Sequence, residues 1–460
     1  MRVVGLQDAV WLALESRDTP MHIGGLYEFT LPDDAAGDFL SQEFRRMRET
    51  RRIPSPWNLE LVHPPLAGSR IPVMRESRDV DLDYHIRHSA LPRPGGQREL
   101  GQLISRLHAN QLDLRRPLWE VHLIEGLEHN RFAIYHKVHH SLVDGVSGMR
   151  LITRALSTDP ARRGMDWFWT VGAGAPTSRE IERTECTGTI RTIADRTQGA
   201  IANITGVSRL AVKFGSAVLA GGALQAPYRT PRSPLGGHLG NHRRFATQRY
   251  DLEDLKVCAK ASESTLNDIV VYLCGTALRR YLAEHAAAPN GTLTAGIPVS
   301  LRLPGDQKIG TDLSFIIANL GTNVADPLER LEIIKRSTRE AKAEFRRIPA
   351  GARASQTILV NGIYMTGLVV GLGGRAPVPF SLPISNVPGP PELLYCNGAR
   401  LDAVFPVALL THGSALNITC ISYAGTINFG FTGARDSLPH LQHLALYTGD
   451  ALNQLKDLLA

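Results

Sequence analysis

Cysteine is scarce in this sequence and none of it is spaced for chemistry. The five residues, Cys186, Cys258, Cys274, Cys396 and Cys420, are odd in number, and no two stand at a metal-binding or redox interval. That excludes a disulfide framework and a CxxC centre, and fits a reducing compartment. Long apolar runs are missing too. The longest stretches, FGSAVLAGGALQAP from Phe214 and TILVNGIYMTGLVVGLGG from Thr357, are rich in glycine and too weak for a spanning helix. They read as buried helices or as shallow inserts at a membrane surface. Charge interrupts MRVVGLQDAVWLALESRD too early for a signal peptide. There is no Gly-rich phosphate loop of the P-loop or dinucleotide kind. The G-x-S-x-G spacing of a serine nucleophile is absent from GVSGM (from Gly145) and from HGSAL (from His412). No solenoid repeat and no low-complexity tract occurs.

What is present is a chain of 460 residues, long enough for two cores, with a net charge of +7. Arginine supplies most of the excess, as in RRMRETRR (Arg45 to Arg52). Such a cluster is a solvated helix face, or it attracts anionic lipid or the phosphates of a ligand. No reader motif accompanies the basic excess, so a nucleic-acid partner is not expected. Residues 1–160 read as one α/β unit, 161–240 as a Pro-, Gly- and Arg-rich linker containing helices, and 241–460 as a second α/β unit. LWEVHLIEGL (from Leu118) and RFAIYHKVHH (from Arg131) flank Glu128–Asn130 and predict a hairpin. The apolar spacing of TLNDIVVYLCGTALRRYL (from Thr265) and PLERLEIIKRSTREAKAEF (from Pro327) predicts two helices. ALNITCISYAGTINFGF predicts a second hairpin, turning near Gly425.

HKVHHSLVDGVSG, residues 136–148, carries the densest chemistry. On a strand, His136, Val138 and His140 share one face while Lys137 and His139 share the other. Adjacent histidines on opposite faces are poorly placed for one metal, and no supporting zinc-like spacing exists. Two readings stay open: structural histidines, or a base at a strand end, since imidazole can take and return a proton near neutral pH. A tight turn with positive φ at Gly145 would let Asp144 fold inward, to orient the loop, pair with an arginine, or bond its own backbone. A base without an enzyme nucleophile implies direct attack of one substrate on another. Thr265 and Asp268 have the spacing of a capping box, which accounts for them structurally. Asn267 beside them is less well explained by capping and is a candidate donor to a developing oxyanion.

His139-His140-Ser141-Leu142-Val143-Asp144-Gly145 matches the HHxxxDG motif of the acyl-CoA-dependent acyltransferase superfamily, which includes chloramphenicol acetyltransferase and peptide-synthetase condensation domains. PMHIGGL (from Pro20), PLWEVHLIEGL (from Pro117), TLNDIV (from Thr265), PVSLR (from Pro298), SNVPGP (from Ser385) and ALNITCISYAG (from Ala415) occur in that order. Together they resemble the bacterial wax ester synthase/diacylglycerol acyltransferase family over nearly the whole chain, most weakly from about 160 to 225. Where the family often has Gly-Asn after PVSLR, this chain has Gly310-Thr311.

The resemblance implies an α/β fold of two chloramphenicol-acetyltransferase-like domains joined by a long linker, with a reaction channel between them. It implies transfer of a long-chain acyl group from acyl-CoA, a substrate rather than a cofactor, to a fatty alcohol or diacylglycerol, with no metal. His140 is then the general base. His139 and Asp144 support the motif together with Gly145, and Arg302 is the candidate ion-pair partner of Asp144. Pro117, Leu118 and Trp119, and the SNVPGP turn with Asn386, Pro388 and Gly389, are candidate substrate contacts. Core packing also accounts for Trp119, and a rigid chain reversal for the turn. The expected setting is cytoplasmic, peripheral to an anionic inner membrane face or lipid inclusions. Three other readings are a related acyltransferase with a different hydroxyl or amine acceptor, a non-catalytic lipid-binding protein, and a metallohydrolase resting on His136 and His140.

Overall fold

The computed structural model describes residues 2–4, 6–50, 52–62, 73–143, 145–172, 227–285, 289–300, 313–348, 362, 364–375 and 377–460. The first predicted hairpin is present as β6 (Trp119–Leu127) and β7 (Arg131–His139). Its turn puts His129 and Asn130 at φ 61 and 57, the left-handed pair that a tight hairpin requires. β2 (His22–Thr30) pairs with the other edge of β7, placing His22 opposite His139. β5 (Ile86–Ala90) runs parallel to β6. The sheet is completed from far away in sequence, by β12 (Tyr395–Cys396) and β13 (Ala399–Val407), in the order β12-β13-β2-β7-β6-β5. A strand pair from the second half of the chain therefore belongs to the first sheet. A small sheet of β1 (Arg2–Val3), β3 (Leu59–Val62) and β4 (Val73–Glu76) stands beside it.

The second sheet has the order β10-β9-β11-β14-β15-β8. Its strands are β8 (Arg243–Asp251), β9 (Thr294–Ser300), β10 (Leu313–Asn319), β11 (Leu382–Val387), β14 (Leu416–Tyr423) and β15 (Thr426–Ala434). The hairpin predicted around Gly425 is β14–β15, with Ala424 at φ 43 and Gly425 at φ 80. The two predicted helices are Leu266–His285 and Pro327–Arg347, the seventh and eighth numbered among the described residues. We number the helices α1 (Leu6–Leu14), α2 (Phe39–Arg48), α3 (Leu82–His85), α4 (Gln97–Ala109), α5 (Gly145–Arg154), α6 (Leu252–Ala261), α7, α8 and α9 (Leu441–Leu459). α7 is buried on nearly every side from Asp268 to Leu278, which is why its apolar stripe is so broad.

Three large buried clusters among the described residues hold this arrangement. The largest packs α7, α8 and α9 against the second sheet. The next is aromatic and fills one face of the first sheet: Trp57, Trp119, Phe168 and Trp169 meet edge-on or stacked at 5.0–6.0 Å. The segment read as linker from residue 161 thus enters the first core at Met165–Trp169. Residues 173–226, with the Phe214 stretch, lie outside the described residues. The third cluster joins the sheets: α4 contributes Leu100 and Ile104, β8 Phe245, and β13 Phe405. At this seam the Phe245 N–H donates to Ser105 Oγ at 2.9 Å. The arginines of RRMRETRR on α2 are engaged locally. Arg46 donates to Glu43 at 2.7 Å and to Met165 O at 2.8 Å, and Arg48 pairs with Asp83.

Candidate active site

The chemistry-bearing loop begins where β7 stops. The His140 N–H donates to Met21 O at 2.8 Å, just before β2, and the Leu142 N–H turns back to His139 O at 3.0 Å. These bonds give the two histidines different surroundings. His139 is buried; its Nδ1 accepts from the Ser141 N–H at 3.2 Å and sits 2.7 Å from Ser141 Oγ. An accepting Nδ1 puts the ring proton on Nε2, which lies 3.4 Å from the buried Glu15 carboxylate. Glu15 also accepts the Met21 N–H at 2.5 Å and the Gln111 side chain at 2.8 Å. His139 is therefore held at Nδ1 by Ser141, while Glu15 faces its Nε2 without a hydrogen bond and touches the residue that holds His140. His140 itself is half-buried, with its ring 4.5 Å from that of Trp11 on α1 and tilted 30° to it. Of the pair, His140 is the one with access from outside.

Leu142 and Val143 continue into the aromatic core. Gly145 does not form the expected tight turn: it is exposed and opens α5, since the chain passes directly into helix. Asp144 and Arg302 lie outside the described residues. His136 is buried against Tyr27 (5.4 Å) and Phe168 (5.2 Å), and burial pushes its pKa down to about 3. Among the described residues no group of three His, Cys, Asp or Glu is arranged to hold a metal ion.

Lys137, on the opposite face, is fully buried, its Nζ 2.5 Å from Glu120 and within 3.0 Å of Leu107 O and Asn110 O at the end of α4. Burial alone would raise the Glu120 carboxyl. The His122 hydrogen bond and the Lys137 charge overcome it and hold the pKa down to about 2. The pair fastens β7 to β6 and α4 directly below the histidines.

Leu118 is 0 % and Trp119 1 % exposed, and Pro117 is buried beside them. Trp119 donates to Trp57 O at 2.6 Å and stacks on His85 at 4.5 Å. Packing accounts for all three, which form the floor of the aromatic core. Asn386 is half-buried on β11, opposite Cys420 of β14. The next residue, Val387, packs on the same core as Val143 and Trp119, so the fold brings the motif loop and the SNVPGP turn to one cluster. Pro388 is exposed; Gly389 has a steric reason, because a Cβ there would lie 2.2 Å from Ser422 O. Asn267 is half-buried at the start of α7, where its Nδ2 is buried with no hydrogen-bond partner. Asp268 does form the capping box: its Oδ2 accepts the Thr265 N–H at 2.9 Å and the Thr265 hydroxyl at 2.7 Å, and Thr265 Oγ1 accepts the Asp268 N–H at 3.2 Å. Its Oδ1 accepts the Thr338 hydroxyl of α8 at 2.6 Å.

Sequence reasoning missed Trp11, Glu15 and the Lys137–Glu120 pair. Nothing in ALESRD marks Glu15 as a partner of a residue 124 positions away. Lys137 did carry a signal, a cation inside an otherwise apolar central strand.

Two paired α/β sheets with an HHxxxDG loop at a strand end define the class: an acyltransferase of the chloramphenicol acetyltransferase fold. The first condensation domain of a calcium-dependent antibiotic synthetase shares that fold, with a TM-score of 0.62 at 17% identity over 100% of this chain and 96% of the other. The chain belongs to the wax ester synthase/diacylglycerol acyltransferase family: residues 5–270 match its catalytic domain and residues 309–456 its C-terminal domain. It is similar to the O-acyltransferase WSD of Acinetobacter baylyi, 37% identical over 100% of this chain and 98% of the relative. Among solved structures it is similar to the wax ester synthase/diacylglycerol acyltransferase of Marinobacter aquaeolei, with a TM-score of 0.80 at 34% identity and full coverage of both chains. The chain is an O-acyltransferase, and acyl transfer to an alcohol or diacylglycerol hydroxyl is the reaction of its family.

Proposed function

We propose that this chain moves a long-chain fatty acyl group from acyl-CoA directly onto the hydroxyl of a fatty alcohol or diacylglycerol, with His140 as the general base and no resident cofactor. The observation that carries this reading is the division of the histidine pair: His139 is buried, bonded to Ser141 and faced by Glu15, while His140 is half-buried and accessible. His140 takes the hydroxyl proton as the alcohol oxygen attacks the thioester carbonyl. The C–O bond forms, the C–S bond breaks, and the same proton passes from His140 to the departing sulfur, leaving an ester and CoA thiol. A thiol of pKa about 8.5 leaves readily, so proton transfer contributes about 10²–10⁴-fold and positioning the remainder. The buried Nδ2 of Asn267, which has no hydrogen-bond partner, supports a role as donor to the oxyanion. Asp144 and Arg302 are assigned to holding the motif loop.

The reaction works on lipids, and the chain works at a lipid surface: peripherally, on the cytoplasmic face of the cell membrane or on inclusions. Among the described residues no helix is long and apolar enough to cross a membrane. Residues 357–361 and 363 of the stretch from Thr357 lie outside the described residues. Beyond that, Tyr364 is buried, while Val369, Val370 and Leu372 are 54 %, 62 % and 50 % exposed. Those side chains support shallow contact with acyl chains. Purified enzyme given palmitoyl-CoA with hexadecanol or diacylglycerol should yield ester on thin-layer analysis. Initial rates should give intersecting double-reciprocal lines. Parallel lines with a stoichiometric acyl-enzyme would replace direct transfer by a covalent route.

A further inference from the structure

A cleft of about 410 Å³ lies outside the histidine loop, at the seam between α4 and the start of β8. Its wall holds four arginines, Arg106, Arg243, Arg244 and Arg435, against one carboxylate, Glu99. Glu99 is partly committed, accepting the Gly96 N–H at 3.0 Å to cap α4. Arg243 is buried and spends its donors on backbone oxygens, with Gly240 O and Asp18 O each at 2.6 Å. Those bonds fix the guanidinium on neutral oxygens, and the Asp18 carboxylate offsets only part of its charge. Arg435 faces Asp436 at 3.6 Å, with both side chains exposed. Arg244 is half-buried, and its Nε is buried with no hydrogen-bond partner. A buried N–H left without an acceptor is destabilising, and an incoming oxygen would relieve it. This contrasts with Arg46 and Arg48, whose charges are met by Glu43 and Asp83.

From this geometry we infer that the cleft binds a phosphate ester. Guanidinium forks match phosphate oxygens, and several converging forks suit more than one negative charge. The volume falls in the range of small-molecule sites, about 300–1,000 Å³, so it admits the organic group as well as the phosphate. The cleft is tied to the site. Arg243 grips Asp18 O, and Met21, three residues on, grips the His140 N–H, a chain distance of at most about 11 Å. Two sources offer this chemistry there: the nucleotide end of acyl-CoA, a choice of probe that rests on the function proposed above, and the headgroup of an anionic lipid.

The test is a pair of binding titrations on the full chain, neither of which measures ester formation. Adenosine 3′,5′-bisphosphate is titrated by calorimetry, and phosphatidylcholine vesicles containing phosphatidate are titrated by sedimentation. The wild type should bind at least one probe, more weakly as salt rises. The double variant Arg106→Ala/Arg435→Ala, altered at two exposed positions, should bind that probe about tenfold more weakly or worse. Arg244→Gln, which keeps the bulk, should weaken it in the same direction. Loss confined to the nucleotide identifies the acyl donor; loss confined to vesicles identifies a headgroup. A wild type that binds neither probe overturns the inference, as do variants that melt like the wild type and bind both probes with its affinity.

Discussion

Glu15 joins the two histidines into one unit. Its carboxylate faces His139 and also accepts the N–H of Met21, the residue whose carbonyl holds His140. Glu15→Ala should therefore cost stability, about 1–3 kcal/mol for buried donors left unmet, and should lower turnover with little change in KM. Glu15→Gln keeps one acceptor and should recover part of both losses. Thermal melting and steady-state rates on the two variants check this; an unchanged turnover in Glu15→Ala would show that the clamp does not position His140. Asn267 and Thr265 make the opposite contrast two positions apart. Thr265→Ala should cost about 0.5–2 kcal/mol of stability by removing a cap. Asn267→Ala should leave the melting temperature near wild type and lower turnover by about 10²–10³-fold if the amide meets the oxyanion. Equal turnover in Asn267→Ala and wild type would remove it from the chemistry.

At the scale of elements, what could be read from the sequence followed local rules. Both hairpins and the helices α7 and α8 are where turn residues and apolar period place them, because pairing across a two- or three-residue turn is a short-range matter. What escaped was long-range. β13 joins β2 from nearly 380 positions away, and nothing in ARLDAVFPV says which sheet it enters. The aromatic run Trp167–Trp169 looked like linker because its partners, Trp57 and Trp119, are supplied by other elements. At the site, the motif named His140 and His139, but only the fold separated a clamped ring from an accessible one. Gly389 also gained a reason only from the neighbouring strand. Gly389→Ala would drive a methyl into Ser422 O. It should cost about 1–3 kcal/mol, measured by denaturant unfolding, whether or not the turn contacts substrate; wild-type stability would mean that β11 and β14 separate more freely than their pairing suggests.

Across the whole molecule, several histidines are buried in neutral form. Burial lowers His85 to about 4 and His108 and His136 to about 3, although the backbone bonds of the first two act the other way. Unfolded imidazoles titrate near 6.5, so between that pH and the folded values the unfolded chain binds more protons. Stability should be full above pH 6.5 and decline steadily as pH falls toward 3. The Glu120 carboxyl, held at about 2, adds to the loss below its ordinary range of about 4.5. Denaturant midpoints measured from pH 7 to pH 4 check the sign; a flat profile would mean that these rings reach solvent. The exposed Val369 and Val370 and the net charge of +7 make a second prediction at this scale. Binding to anionic vesicles should weaken as salt rises, and Val369→Ser/Val370→Ser should weaken it further. Attachment that resists both changes would point to a deeper anchor.

The direct-transfer mechanism depends on which histidine takes the proton. His140→Ala and His139→Ala should be compared with wild type for ester formation from palmitoyl-CoA and hexadecanol, at matched folded fraction verified by melting. Direct transfer with His140 as base predicts a loss of about 10²–10⁴-fold in turnover for His140→Ala. It predicts a smaller loss, accompanied by a lower melting temperature, for the buried His139→Ala. A folded His140→Ala enzyme that turns over at near the wild-type rate would contradict it.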